Sequence, residues 1–189
     1  IWRQLQTRSD WSAVPGFFNF WSFYEGVAAQ LKDGDTVAEI GVWLGRSLIY
    51  LAQQCQRLGK HNVKLIAVDT FQGEENQPEH EATVAAHGGS LRAAFEANLK
   101  RAGVDGMVTI VQGDSAASAA SVADDSLALC FIDAAHDYDS VKRDLQAWQP
   151  KVKADGVFAG HDAQHEPVMR AVAECVPKHK PFGCLWLRQ

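Results

Sequence analysis

The chain has 189 residues, 47% of them hydrophobic and 22% charged, with a formal net charge of −5. That is the balance of a single globular domain with a proper core. No apolar run approaches the roughly 18 residues of a membrane span. No basic stripe offers contacts to a phosphate backbone, so neither a membrane nor a nucleic acid is expected as a partner. Cys55, Cys130, Cys175 and Cys184 lie far apart with no CxxC pair. They read as free thiols in a reducing compartment, with the cytoplasm favoured. The sequence opens on Ile1 without a methionine or a signal-peptide pattern, which leaves room for a trimmed tag or an upstream domain.

In chain order, Trp2 and Trp11 are candidate subunit contacts, the basis for expecting a homo-oligomer. Phe17, Phe20, Trp21, Tyr24, Val27, Ala28 and Leu31 follow a helical stripe, predicting an aromatic-rich helical segment (residues 1–34) packed on the core. Residues 35–189 form the main body. KDGD ends the first helix and TVAEIG reads as a buried strand. Arg46 to Leu58 is helical, and VKLIAVD is the next strand, closing at Asp69. A polar loop from Phe71 to Gly89 follows, carrying Glu74, Glu75, Glu79 and Glu81. From Gln72 it is long enough for a lid hinged at Gly88 and Gly89. A helix with Leu91, Phe95, Asn98 and Leu99 leads to the strand VTIVQGD and a short helix from Ala116 to Ala123. LALCFID is a strand, Tyr138 to Trp148 a helix, GVFAGHD a strand. Pro167 opens a further helix, and CLWLR closes the chain as a strand. Alternating strands and helices, with the strands mostly continuous apolar runs, predict a doubly wound α/β sheet covered on both faces.

Ligands bind outside the carboxyl ends of strands in such sheets. There this sequence places Glu39 and Gly41, Asp69, Asp114, Asp133, and His161 with Asp162. One acid at a strand end is ordinary helix capping; five consecutive strands so marked favour a site. In EIGVWLGRS, Gly41 and Gly45 let backbone approach a ligand and open a helix whose free N–H groups suit a carboxylate or phosphate. The pattern is E-x-G-x-x-x-G, not the dinucleotide fingerprint. Asp69 is placed to accept two ribose hydroxyls, and Asp114 to take an adenine amino group.

These motifs resemble the class I S-adenosylmethionine-dependent methyltransferases: EIGVWLG their first motif, AVDTF their second-strand acid, QGDS their adenine-side motif. The resemblance covers about residues 35–188. It implies a Rossmann-like strand order 3-2-1-4-5-7-6, in which the short space between Cys175 and Gly183 puts the penultimate strand in doubt. It implies that Gly41 and Gly45 line the methionine, that Asp69 binds ribose, and that Asp114 and Ser115 flank adenine. Glu39, Ser47, Thr70, Phe71 and Asp133 complete the expected cofactor set. FIDAAHDYDSVKRDLQAW…GVFAGHD is similar to a bacterial subgroup of small-molecule methyltransferases.

Asp133, His161 and Asp162 sit on the ends of neighbouring strands, where catechol-type O-methyltransferases carry metal ligands in the same order. His161 replaces the usual acid or amide, and imidazole suits Mn, Zn or Fe better than Mg or Ca. A divalent metal is therefore expected at Asp133, His161 and Asp162, with His165 a weaker candidate that is more often solvated. The matching position in those relatives makes His136 the expected general base, its pKa near neutrality suiting the task. Asp133 stands beside it as the second catalytic residue. Asp137 or Asp139 caps the following helix. The expected function is metal-assisted O-methylation of a hydroxylated small molecule. The alternatives are a metal-independent N-methyltransferase, a non-catalytic cofactor-binding module, or a metal hydrolase using His136, His161 and Asp162. The last leaves the glycine loop and Asp69 without a purpose.

Overall fold

A computed structural model of the chain describes residues 10–74 and 77–189. Trp2 and Glu75 lie outside the described residues. Seven strands form one sheet: β1 (Thr36–Ile40), β2 (Lys64–Asp69), β3 (Val108–Gln112), β4 (Leu127–Ile132), β5 (Val152–Gly160), β6 (His179–Phe182) and β7 (Leu185–Arg188). Their order is β3-β2-β1-β4-β5-β7-β6, with β7 antiparallel to both its neighbours and the other pairs parallel. The penultimate strand, doubtful in the sequence, is present. It is short and mostly exposed, so it lacks the apolar run that announces a buried strand.

The helices are α1 (Trp21–Gln30), α2 (Arg46–Arg57), α3 (Pro78–Ala86), α4 (Arg92–Ala102), α5 (Ser115–Ser118), α6 (Tyr138–Trp148) and α7 (Glu166–Cys175). One hydrophobic cluster packs α1, α2 and α4 on one face of the sheet, through Tyr24, Leu48, Leu51, Phe95 and Phe131 among others. A second packs α6 and α7 on the other face, through Leu145, Trp148, Ala171 and Phe158. Central strands buried on both sides explain the near-continuous apolar reading of LALCFI. Cys55 and Cys130 are buried within these clusters, and all four cysteines are free. Among the described residues no helix is long and apolar enough to cross a membrane.

Three expectations need correction. The helical stripe does not begin at Phe17: α1 starts at Trp21, and Phe17 and Trp21 are exposed, at 76% and 51%. Trp11, whose subunit contact is a separate expectation, stands edge-on to Phe18 and Tyr50 with ring centroids 5.6 and 5.0 Å away. The stretch from Gln72 to Gly89 contains α3, which starts at Pro78 and carries Glu79 and Glu81 in its first turn. Proline at the first helical position and acids beside it are a helix-start pattern that polarity alone hid. The short helix after β3 is a single α-turn continued by the 3-10 turn Ala119–Ser121.

Candidate active site

Hydrogen bonds continue past the strand ends and line up the site. Gly41 N donates to Val68 O and Asp133 N to Ile40 O, both at 2.8 Å; His161 N donates to Ile132 O at 3.0 Å, as Gly113 N does to Asp69 O. The residues following β1, β3, β4 and β5 therefore stand along one edge. They border a cavity of about 580 Å³. From the sequence-derived set it is lined by Gly41, Ser47, Asp69, Thr70, Asp114, Ser115, Asp133, His136, His161 and Asp162. Glu39, Gly45 and Phe71 are not among the lining residues.

Those three have other duties. Glu39 is fully buried and accepts hydrogen bonds from Tyr24 Oη, at 2.8 Å, and from Ser47 Oγ. Burial pushes its carboxyl up to about 8 against those two bonds. It reaches the cavity only through Ser47. Phe71 is fully buried with its ring centroid 5.3 Å from that of Phe95. Gly45 precedes α2 with φ +90°, and a Cβ there would meet the Phe95 ring at 2.8 Å. Gly41 answers to the neighbouring strand: a Cβ would lie 2.0 Å from the backbone oxygen of Asp133. A side chain at Gly41 would therefore push apart the two halves of the site.

Asp69 is more occupied than a free ribose ligand. Its Oδ2 accepts from the backbone N–H groups of Val42 and Trp43, each at 2.8 Å, and its Oδ1 from Phe71 N at 2.7 Å. It pins the glycine loop in place, and Trp43 adopts φ +51° within that loop. Opposite, Asp114 caps α5 by accepting from Ala117 N at 2.9 Å. The Ser115 hydroxyl donates to Asp144 of α6, which is 2% exposed. Burial raises the Asp144 carboxyl to about 6 despite that bond. Sequence reading missed Asp144, whose position on the inward face of an amphipathic helix was the available signal.

The chemical end gathers around Asp162, a residue with φ +61°, in a region that few non-glycine residues occupy and that recurs at functional sites. His161 Nδ1 lies 3.4 Å from Asp133 Oδ1 and 3.1 Å from Asp162 Oδ1. One ligand atom from each of the three falls within 4.8 Å of the others, and His161 and Asp162 are buried. His161 Nε2 faces Asn19 Oδ1 at 3.2 Å, an oxygen that also receives the Cys184 thiol. With Nε2–H held by Asn19, Nδ1 is directed at the two carboxylates. Burial alone would lower this imidazole, but hydrogen bonds to Asp133 and Asp162 raise it to about 10. Two carboxylates converging on one nitrogen call for positive charge. Two carboxylates and an imidazole are also a fitting donor set for a divalent transition metal, and Asn19 is the outer partner that orients such a ligand.

His136 stands between two acids. Its Nε2 is 2.9 Å from Asp162 Oδ2 and its Nδ1 2.8 Å from Glu74 Oε2. The hydrogen bond to Asp162 is the largest influence; with Glu74 it outweighs burial and raises the ring to about 9. As placed, His136 is an imidazolium donating from both nitrogens at neutral pH. Asp162 is depressed well below the usual carboxylate range: burial would raise it, and the bonds from His136 and His161 prevail. Asp137, not Asp139, caps α6 through Ser140 N at 2.9 Å. His165 is half exposed, 3.7 Å from Asp162. Pro15, Gly16 and Phe17 complete the wall, held by Arg46 Nη1 on Gly16 O at 2.6 Å. Arg46 is thus half-buried.

A protein-family profile described as a methyltransferase domain matches residues 38–163. No curated protein sequence gives a significant match. Among solved structures, the O-methyltransferase NovP is similar with TM-score 0.67 and 20% identity over 88% of this chain and 78% of that one. CalS11, a TDP-rhamnose 3′-O-methyltransferase of calicheamicin biosynthesis, aligns with TM-score 0.57 and 17% identity over 89% and 76%. The precorrin-6y C5,15-methyltransferase from Geobacter metallireducens gives 0.61 and 15% over 93% and 79%. At such identities the likeness is one of fold.

Proposed function

Since the chain belongs to the methyltransferase-domain family and is an S-adenosylmethionine-dependent methyltransferase, we propose that it methylates a hydroxyl oxygen of a small molecule with the help of a divalent cation. The observation that carries this reading is the convergence of Asp133 and Asp162 on His161 Nδ1 at the ends of adjacent strands. Those three residues would hold the cation, which would supply orientation of the acceptor hydroxyl and a lower pKa for it.

The cofactor lies along the strand-end edge. Asp69 fixes the loop from Gly41 to Trp43 and keeps its remaining acceptor capacity for the ribose. Gly41, Ser47 and Thr70 line the stretch between ribose and methionine, while Asp114 and Ser115 flank the adenine. Asp133 closes the methyl-bearing end. With the cofactor bound, Asp133 would help hold the acceptor beside the methyl group, so that transfer would be effectively intramolecular. His136 takes the acceptor proton at Nε2, which requires its contact with Asp162 to open and the proton already on Nε2 to leave for solvent first. Pro15, Gly16, Phe17, Glu74 and His80 among the lining residues support a small-molecule acceptor.

Calorimetry with Mn²⁺ alone tests the metal part. The wild-type protein is expected to bind one ion, and Asp133→Asn to lose most of that affinity. Absence of Mn²⁺ and Mg²⁺ binding, or methyl transfer undiminished by exhaustive chelation, removes the cation and leaves a metal-independent methyltransferase.

A further inference from the structure

Ser115 and Asp144 form a pair whose polarity has a consequence for ligand choice. Ser115 begins α5, lines the cavity, and is held at both ends: Trp148 Nε1 donates to its carbonyl at 3.1 Å, and its hydroxyl donates to Asp144. Trp148 is fully buried and Asp144 nearly so, and both belong to α6, so a rigid core element grips this loop. A serine hydroxyl has one proton and two lone pairs, and an ionised carboxylate only accepts. While Asp144 is ionised, the Ser115 proton is committed to it. What Ser115 Oγ offers the cavity is then an acceptor and never a donor.

We propose that Asp144 is a specificity-determining positioning residue. By holding the Ser115 proton it makes the nucleoside pocket select a purine that carries an amino group over one that carries a carbonyl. The inference rests on the reading that Ser115 flanks the cofactor's base. The adenine amino group donates and matches this acceptor, whereas the hypoxanthine carbonyl presents oxygen to oxygen. A site built for a donor rejects the analogue lacking it, because its own buried groups are left unpaired.

The charged and titratable groups around Asp144 are Asp114 at the head of α5 and Asp137, which raise its carboxyl, and Arg143 of its own helix, which lowers it. The Cys130 thiol of β4 is pushed up chiefly by burial and further by the charge of Asp144. On α7, Arg170 stacks on Tyr138, and Glu174 bonds Tyr138 and Lys142. Protonated Asp144 can itself donate to Ser115 Oγ, which frees the serine proton for the cavity. Selectivity should therefore decline through the region near pH 6, where this carboxyl titrates.

The test is the ratio of affinities for S-adenosylhomocysteine and S-inosylhomocysteine, measured by calorimetry from pH 7.5 down to pH 5. Wild type is expected to favour the adenosyl compound by about tenfold at pH 7.5, the worth of roughly one hydrogen bond, and less as pH falls. Asp144→Ala, which removes the acceptor of the Ser115 proton, should bring the ratio toward parity at every pH. Ser115→Ala should give a ratio that does not change with pH; because it leaves the α6 core intact, it serves if the Asp144→Ala variant folds poorly. A pH-independent wild-type ratio, or one lost in Asp114→Asn but kept in Asp144→Ala, overturns the proposal. Failure of wild type to bind S-adenosylhomocysteine at all would remove the cofactor reading and the proposal with it.

Discussion

Replacing Glu39 with glutamine should make the protein more stable, and increasingly so as pH rises. The carboxyl is fully buried; among the described residues no cation stands beside it and its partners are the hydroxyls of Tyr24 and Ser47, and burial raises it to about 8. In the unfolded chain it titrates near its ordinary value of about 4.3. A raised carboxyl pKa means the folded state binds a proton that the unfolded state releases. Stability is therefore full below the unfolded pKa and is lost as pH climbs from about 4.3 to about 8, at about 1.4 kcal/mol per pH unit. At pH 7 the accumulated loss is about 3–4 kcal/mol. Glutamine is isosteric with the protonated acid and carries no such loss, although its amide must find the same two hydroxyls. A gain of about 2–4 kcal/mol at pH 7, shrinking toward zero at pH 4, is the net expectation. Urea unfolding of both proteins between pH 4 and pH 9 measures it. Parallel stability curves, or a glutamine variant weaker than wild type at pH 8, would show that Glu39 is ionised in the folded protein and refute the reasoning.

Asp69→Ala frees three backbone N–H groups of the cofactor loop and should weaken S-adenosylhomocysteine binding by about 1.5–3 kcal/mol in calorimetry; unchanged affinity would strip Asp69 of its role. Gly41→Ala brings a Cβ against the Asp133 backbone at a positive φ, and thermal unfolding should report a loss of about 2–5 kcal/mol. His136→Ala should slow single-turnover methyl transfer by roughly 10²–10⁴ with S-adenosylhomocysteine affinity kept; transfer within a few-fold of wild type would make His136 a structural tie between Glu74 and Asp162.

The strand order and the line of strand-end residues were legible because both follow from local pattern. Apolar runs mark parallel strands, and their ends must meet at one edge of the sheet. The triad of Asp133, His161 and Asp162 could be read for that reason alone: adjacent strands carry it. What sequence hid is what depends on the direction of a side chain. Glu39 is level with Ala67 and Asp69 lies two residues further along, so one stays in the core while the other reaches the loop. Asn19 and Glu74 reach the site from segments with no periodicity to place them, 142 and 62 residues from their histidine partners. Phe71 was read as a ligand because it follows Asp69, but its φ of +60° turns the chain and sends its ring inward. Edge strand β6 lay beyond any hydrophobic signal, being nearly all exposed.

The charge balance of the cleft ties its two histidines to one question. Glu74, Asp133 and Asp162 bring three carboxylates within reach of His136 and His161. With both imidazoles protonated the five groups sum to one negative charge; with both neutral, to three. Carboxylates this close, one of them buried, do not keep three uncompensated charges, which is why both rings are held protonated. A divalent cation at Asp133, His161 and Asp162 would meet the same demand in another way, displacing the Nδ1 proton of His161 and taking up the charge of Asp162. Metal binding here must then release protons and strengthen with pH. Asp162 is the hinge between the two arrangements, since among the described residues it is the carboxylate that touches both rings. The same carboxylate that favours a protonated His136 in the one arrangement would be the ligand that frees it as a base in the other.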